Sequence, residues 1–114
     1  DLAGIVYYAN YLKFIERARS EWVRELGIDQ VAMKASGLVF AVRRVEADYL
    51  SPAHFDDKLI VQTGVTQSTG ARLNVLQEVK RGSETLFRAL VTIICMDAAG
   101  KAVRLPAQMR KISP

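Results

Sequence analysis

Apolar side chains at Tyr11, Ile15, Ala18, Trp22 and Leu26, joined by Leu12 and Val23, recur at steps of three and four. That period lays one broad apolar face along a helix and predicts a helix over residues 11–26. Sixteen residues at 1.5 Å each make it about 24 Å long, enough to cross most of a small sheet. Asn10 stands where an N-cap is expected, and Gly27 where a left-handed residue would stop the helix. A shorter helix is expected over residues 29–36, capped by Asp29 and ended by Gly37. Beyond Gly37 the period changes to two. Strands are expected over 38–50, 58–69 (with Leu59, Val61 and Val65 on one side), 72–80, 85–96 and, briefly, 100–104. The joints carry turn residues: Ser51-Pro52, Thr69-Gly70, Arg81-Gly82-Ser83 and Asp97 to Gly100.

One long helix followed by four or five antiparallel strands is an α+β pattern. An antiparallel sheet curled around the helix is the simplest way to bury its apolar face. The run Leu90-Val91-Thr92-Ile93-Ile94-Cys95-Met96 is nearly all apolar, so its strand is expected to be central and covered on both faces, the second cover coming from another subunit. A chain of 114 residues buries only about two-thirds of its unfolded surface, which also favours a homodimer or homotetramer.

Composition narrows the function classes. The chain is 50% apolar and 25% charged, with net charge +4. The basic residues are scattered and no aromatic-rich basic signature accompanies them, so nucleic acid is not an expected partner. No run reaches membrane-spanning length, and a cytoplasmic enzyme or binding protein is expected. One cysteine, Cys95, and one histidine, His54, make neither an internal disulfide nor a sound metal site; no metal is expected, and Cys95 reads as a small buried hydrophobe.

The chemistry concentrates in Asp1-Leu2-Ala3-Gly4-Ile5-Val6-Tyr7-Tyr8-Ala9-Asn10-Tyr11. A carboxylate, a turn at Gly4 and an apolar-aromatic run lead into the main helix. The order sets an acid beside the positive end of a helix, which suits attack on a carbonyl whose oxygen becomes negative.

This stretch, continued by Ile15-Glu16-Arg17-Ala18-Arg19, resembles the signature of hotdog-fold acyl-CoA thioesterases, in particular the group of 4-hydroxybenzoyl-CoA and Tol–Pal-associated thioesterases. The family pattern reads Asp-x-Ala-Gly-(Ile/Val)-Val-(aromatic)-(Tyr/His)-x-Asn-Tyr. The helix sequence Glu-Arg-Ala-Arg-Ser-Glu-Trp is similar to the Tol–Pal branch, which commonly has histidine where Tyr8 stands; tyrosine there is more like the hydroxybenzoyl branch. The resemblance covers essentially the whole chain, read as one hotdog domain over residues 1–114. It also implies that a strand bearing another acid precedes Asp1.

The resemblance implies hydrolysis of an acyl-CoA thioester with no cofactor, coenzyme A being part of the substrate. Asp1 would be the nucleophile or the general base. Amides around Val6 to Tyr8, the Tyr8 amide foremost, would polarise the carbonyl. Gly4 and Ile5 would leave room for the substrate, and the Tyr7 and Tyr8 rings would line an acyl pocket or belong to the core. Glu16 would shape the acyl pocket or pair with Arg19 or Arg43. Ser68, Arg72 and Arg104 would meet the coenzyme A phosphates. The competing reading is a non-catalytic hotdog module that binds acyl-CoA or an acyl-carrier protein.

Overall fold

The computed structural model describes residues 9–112. Helix α1 (Ala9–Glu25) is followed by a short helix α2 (Gln30–Ala35), four long strands β1 (Val39–Tyr49), β2 (Ile60–Ser68), β3 (Leu73–Arg81) and β4 (Glu84–Met96), a two-residue strand β5 (Ala102–Val103), and a terminal turn of helix α3 (Ala107–Arg110). The strands form one sheet in the order β1-β4-β3-β2, antiparallel throughout, and β5 pairs with the end of β4. This is the hotdog arrangement expected for an α+β chain: a sheet with one long helix laid across it.

Helix α1 packs on β2 and β3. It buries Tyr11, Ile15 and Val23 there, with Phe14, Trp22 and Leu26 half-buried beside them. Each fully buried side chain of this kind contributes about 1.5–3 kcal/mol, several times the few tenths that β-branched Ile15 and Val23 sacrifice in helix propensity. The sheet answers with alternate residues: Leu73, Val75, Gln77 and Val79 on β3, and Phe87, Ala89, Val91, Ile93 and Cys95 on β4. Leu105 and Met109 close the end of this core. Cys95 is buried as expected, and burial pushes its thiol up, away from thiolate chemistry.

Both helix stops act as their residues suggest. Gly27 has φ +85°, the Gly27 N–H donates to the Arg24 carbonyl at 3.0 Å, and the Ile28 N–H reaches the Val23 carbonyl at 3.4 Å. Gly37 (φ +83°) repeats the motif, the Leu38 N–H donating to the Met33 carbonyl at 2.9 Å. Asp29 caps α2, its carboxylate accepting from the Val31 and Ala32 amides. The β2–β3 turn is fastened by Thr69, whose hydroxyl oxygen accepts from the Ala71 and Arg72 amides.

One expectation needs correction. Asn10 does not cap α1: the helix already includes Ala9, so Asn10 sits within its first turn. Strand β4 is central, as expected. Within the single chain α1 covers one face of the sheet; on the other, Leu90, Ile94 and Met96 are half-buried, paired with Glu46, Ala41 and Val39 of β1. No helix among the described residues is long and apolar enough to cross a membrane.

Candidate active site

The start of α1 is the centre of the sequence motif. Asp1, Gly4, Ile5, Val6, Tyr7 and Tyr8 lie outside the described residues; what the structure describes is the helix they run into and the way its first turn is held. Tyr11 is the anchor. It is 2% exposed, and its ring stacks on Phe87 of β4 with centroids 5.1 Å apart and planes 4° from parallel. Phe14 meets it edge-on at 6.0 Å and Tyr49 at a tilt, also at 6.0 Å. The buried Ala53 N–H, in the connection between β1 and β2, donates to the Tyr11 hydroxyl oxygen at 2.9 Å.

That connection is itself fastened at both ends. The Leu50 and Ser51 amides both donate to the Leu86 carbonyl, at 2.8 and 3.1 Å. At the far end Asp57 accepts from the His54 backbone N–H at 2.8 Å and from the Arg81 guanidinium at 2.7 Å. These two contacts, the amide first, hold the Asp57 carboxyl below its usual range. Arg81 is shifted the other way by Glu84 and then Asp57. A cleft of about 500 Å³ runs between this connection and α1, with Asn10, Phe14, Glu21, His54, Phe55 and Leu59 in its walls.

One turn further along α1, a polar bridge crosses the core. Gln77 is fully buried on β3. Its amide nitrogen donates to the Ile15 carbonyl at 2.9 Å and to Thr63 Oγ1 at 3.1 Å, and its carbonyl oxygen accepts from Arg19 at 2.8 Å. Every polar atom of this side chain thus has a partner, which is what makes a buried amide tolerable. Burial lowers the affinity of the Arg19 guanidinium for its proton, and Glu16 partly offsets this. Glu16 and Arg19 also border a cavity of about 160 Å³ beside Phe40, Val42 and Ile93.

Ser68, Arg72 and Arg104 come together at the other end of β2. The Ser68 hydroxyl donates to the Met109 carbonyl at 3.0 Å. The Leu105 N–H donates to the Gly70 carbonyl at 2.9 Å. The Arg104 guanidinium lies against Gly70, close enough that an added Cβ there would sit 3.4 Å from its Nη2. Arg72 and Arg104 are both exposed on this corner. Sequence reasoning grouped these three residues but missed Gln77 and the Tyr11–Ala53 bond. A lone Gln in the apolar alternation Leu73, Val75, Val79 was the available signal for the first; nothing local signals the second.

An antiparallel sheet packed on one long helix is the hotdog arrangement. A family model described as the thioesterase-like superfamily matches residues 1–112, so this chain belongs to that family. It is 38% identical over 98 residues to the acyl-CoA thioester hydrolase YbgC of Escherichia coli strain CFT073, covering 85% of this chain and 73% of that protein. Identity to the acyl-CoA thioesterase YbgC of Haemophilus influenzae is 36% over 112 residues, 96% of this chain and 82% of that one. Among solved structures, a probable thioesterase from Bartonella henselae superposes with a TM-score of 0.85 at 38% identity, over 93% of this chain and 89% of its own.

Proposed function

We propose that this protein hydrolyses acyl-CoA thioesters to a free acid and coenzyme A. The observation that carries the reading is its similarity to the YbgC acyl-CoA thioester hydrolases over most of both chains, on a shared fold. Asp1 either attacks the thioester carbonyl, expelling the coenzyme A thiolate and leaving a mixed anhydride that water then hydrolyses, or acts as general base for water attacking that carbon as the thiolate leaves. Amides of the segment leading into α1, around Val6 to Tyr8, bind the carbonyl oxygen as it gains charge. Gly4 and Ile5 leave room for the thioester, and the Tyr7 and Tyr8 rings face the acyl group. The motif's place immediately before α1 supports these assignments.

Coenzyme A phosphates meet Ser68, Arg72 and Arg104. Support comes from their gathering at one corner, where the turn at Gly70 is tied to Leu105 and two arginines are exposed. No cofactor is needed beyond the substrate. The active form is a homo-oligomer joined through β1: this edge strand leaves Val42 45%, Val45 41% and Tyr49 48% exposed, an apolar edge of the kind that natural sheets cover. The place of work is the cytoplasm, whose reducing conditions suit the lone free thiol of Cys95.

The test is thiol release from a panel of short aliphatic, long aliphatic and aromatic acyl-CoAs. Turnover of at least one class is expected. Saturable binding without thiol release across the panel would instead identify a non-catalytic acyl-binding module.

A further inference from the structure

Tyr11 belongs to the first turn of α1, and besides meeting Phe14 of the same helix its ring and its hydroxyl reach the sheet and the β1–β2 connection. Phe87 on the central strand and Tyr49 on the edge strand hold the ring. The hydroxyl oxygen takes the amide of Ala53, a residue wholly shielded from solvent in the β1–β2 connection. The connection in turn is bound to β4 through Leu86 and to β3 through Arg81. The first turn of α1 is therefore fixed to two strands of the sheet and to the β1–β2 connection through one side chain.

We propose that Tyr11 is a positioning residue of the thioesterase site: by holding the Ala53 amide and stacking on Phe87, it sets where the N-terminal end of α1 points. This rests on the reading that the segment entering α1 carries the reaction. Amides that stabilise an oxyanion act only when aimed at it, and displacements of about 1 Å can cost ~100-fold in rate. Binding of coenzyme A, at the corner of Arg72 and Arg104, does not depend on that aim. Loss of the pin should thus appear in kcat and not in KM.

Tyr11→Phe keeps the ring and removes the hydroxyl. Its kcat for a good acyl-CoA substrate is expected to fall by about 10-fold or more, with KM unchanged within about twofold. Ile28→Ala, a buried residue just past the C-terminal stop of the same helix, is the control: it should lower the thermal midpoint while kcat stays near wild type, so that lost stability alone is not read as lost aim. Phe87→Leu loosens the pin from the sheet side and leaves every helix residue in place; it should show the same kcat-selective loss and decides the matter if Tyr11→Phe does not fold. A wild-type kcat in folded Tyr11→Phe or Phe87→Leu, or an equal kcat loss in Ile28→Ala, overturns the positioning role while leaving thioesterase activity standing. A wild-type protein that releases no thiol from any acyl-CoA overturns both.

Discussion

The two ends of α1 are held by opposite means. At the C-terminal end the stop is local: Gly27 turns left-handed, two amides return to the last turn, and Ile28 folds onto Val23 within the same stretch of chain. At the N-terminal end, among the described residues, most of the hold is distant. Tyr11 meets Phe14 on its own helix, but Phe87, Tyr49 and Ala53, which also hold it, are all far away in sequence. A helix end fixed by its own chain forms early and tolerates changes elsewhere. One fixed by tertiary contacts takes its position from the completed sheet, which suits the proposed role of aiming amides at the carbonyl.

The largest effect expected from breaking this contrast is Tyr11→Ala, which removes a buried ring and its hydrogen bond at once. It should cost about 3–5 kcal/mol in a denaturant titration, in the range of buried aromatic truncations. Gln77→Leu comes next, at about 1–3 kcal/mol, because the half-buried Arg19 loses its acceptor and Thr63 and the Ile15 carbonyl lose a donor. Gly27→Ala should cost about 1–2 kcal/mol, all of it backbone strain, since an added Cβ meets nothing within 4 Å. Gly27→Ala should also leave kcat near wild type, whereas a loss of activity there would erase the distinction between the two ends.

The smallest effect is one of pH. The Asp57 carboxyl is held below its usual range when folded, so its contribution to stability is complete above the unfolded value of about 3.9 and is lost as pH falls through the lower folded value. Asp57→Asn should therefore lower the thermal midpoint slightly at pH 7, where that contribution is complete, change it least in acid, where the carboxyl is already protonated, and so flatten the acid side of the profile below about pH 4. Because Asp57 fastens the connection that Tyr11 binds, the Ala53 amide should lose protection against exchange, relative to its intrinsic rate at each pH, in acid before the Ile28 amide does. Equal loss of protection at both would show that the ends are not independently held.

The elements themselves were legible because their signals are local. Periodicity placed all five strands within a residue or two, and Gly27, Gly37 and Asp29 marked helix ends through their own backbone and cap chemistry. Asn10 misled because an N-cap residue type carries no record of where the helix begins; the helix already includes Ala9. The apolar run of β4 marked it as the central strand; its second face, where Leu90, Ile94 and Met96 are half-buried in the single chain, is the one expected to meet another subunit. Tyr11 was legible as part of an apolar stripe, while its hydroxyl partner was not, since the bond to Ala53 spans 42 positions. Gln77 was legible as an interruption of a strand pattern, but its partners Ile15 and Arg19 depend on how the helix crosses the sheet. The motif from Asp1 to Tyr11 was read through its family resemblance, and the match to the thioesterase-like superfamily over residues 1–112 agrees with it.

The most direct measurement is the steady-state thiol release of Asp1→Asn against wild type, on the acyl-CoA that wild type turns over best, with folding checked by thermal melt. The account predicts a kcat lower by ~100-fold or more, the low end for a positioned acid–base group, with the melt unchanged. A folded Asp1→Asn protein with near-normal kcat would contradict it.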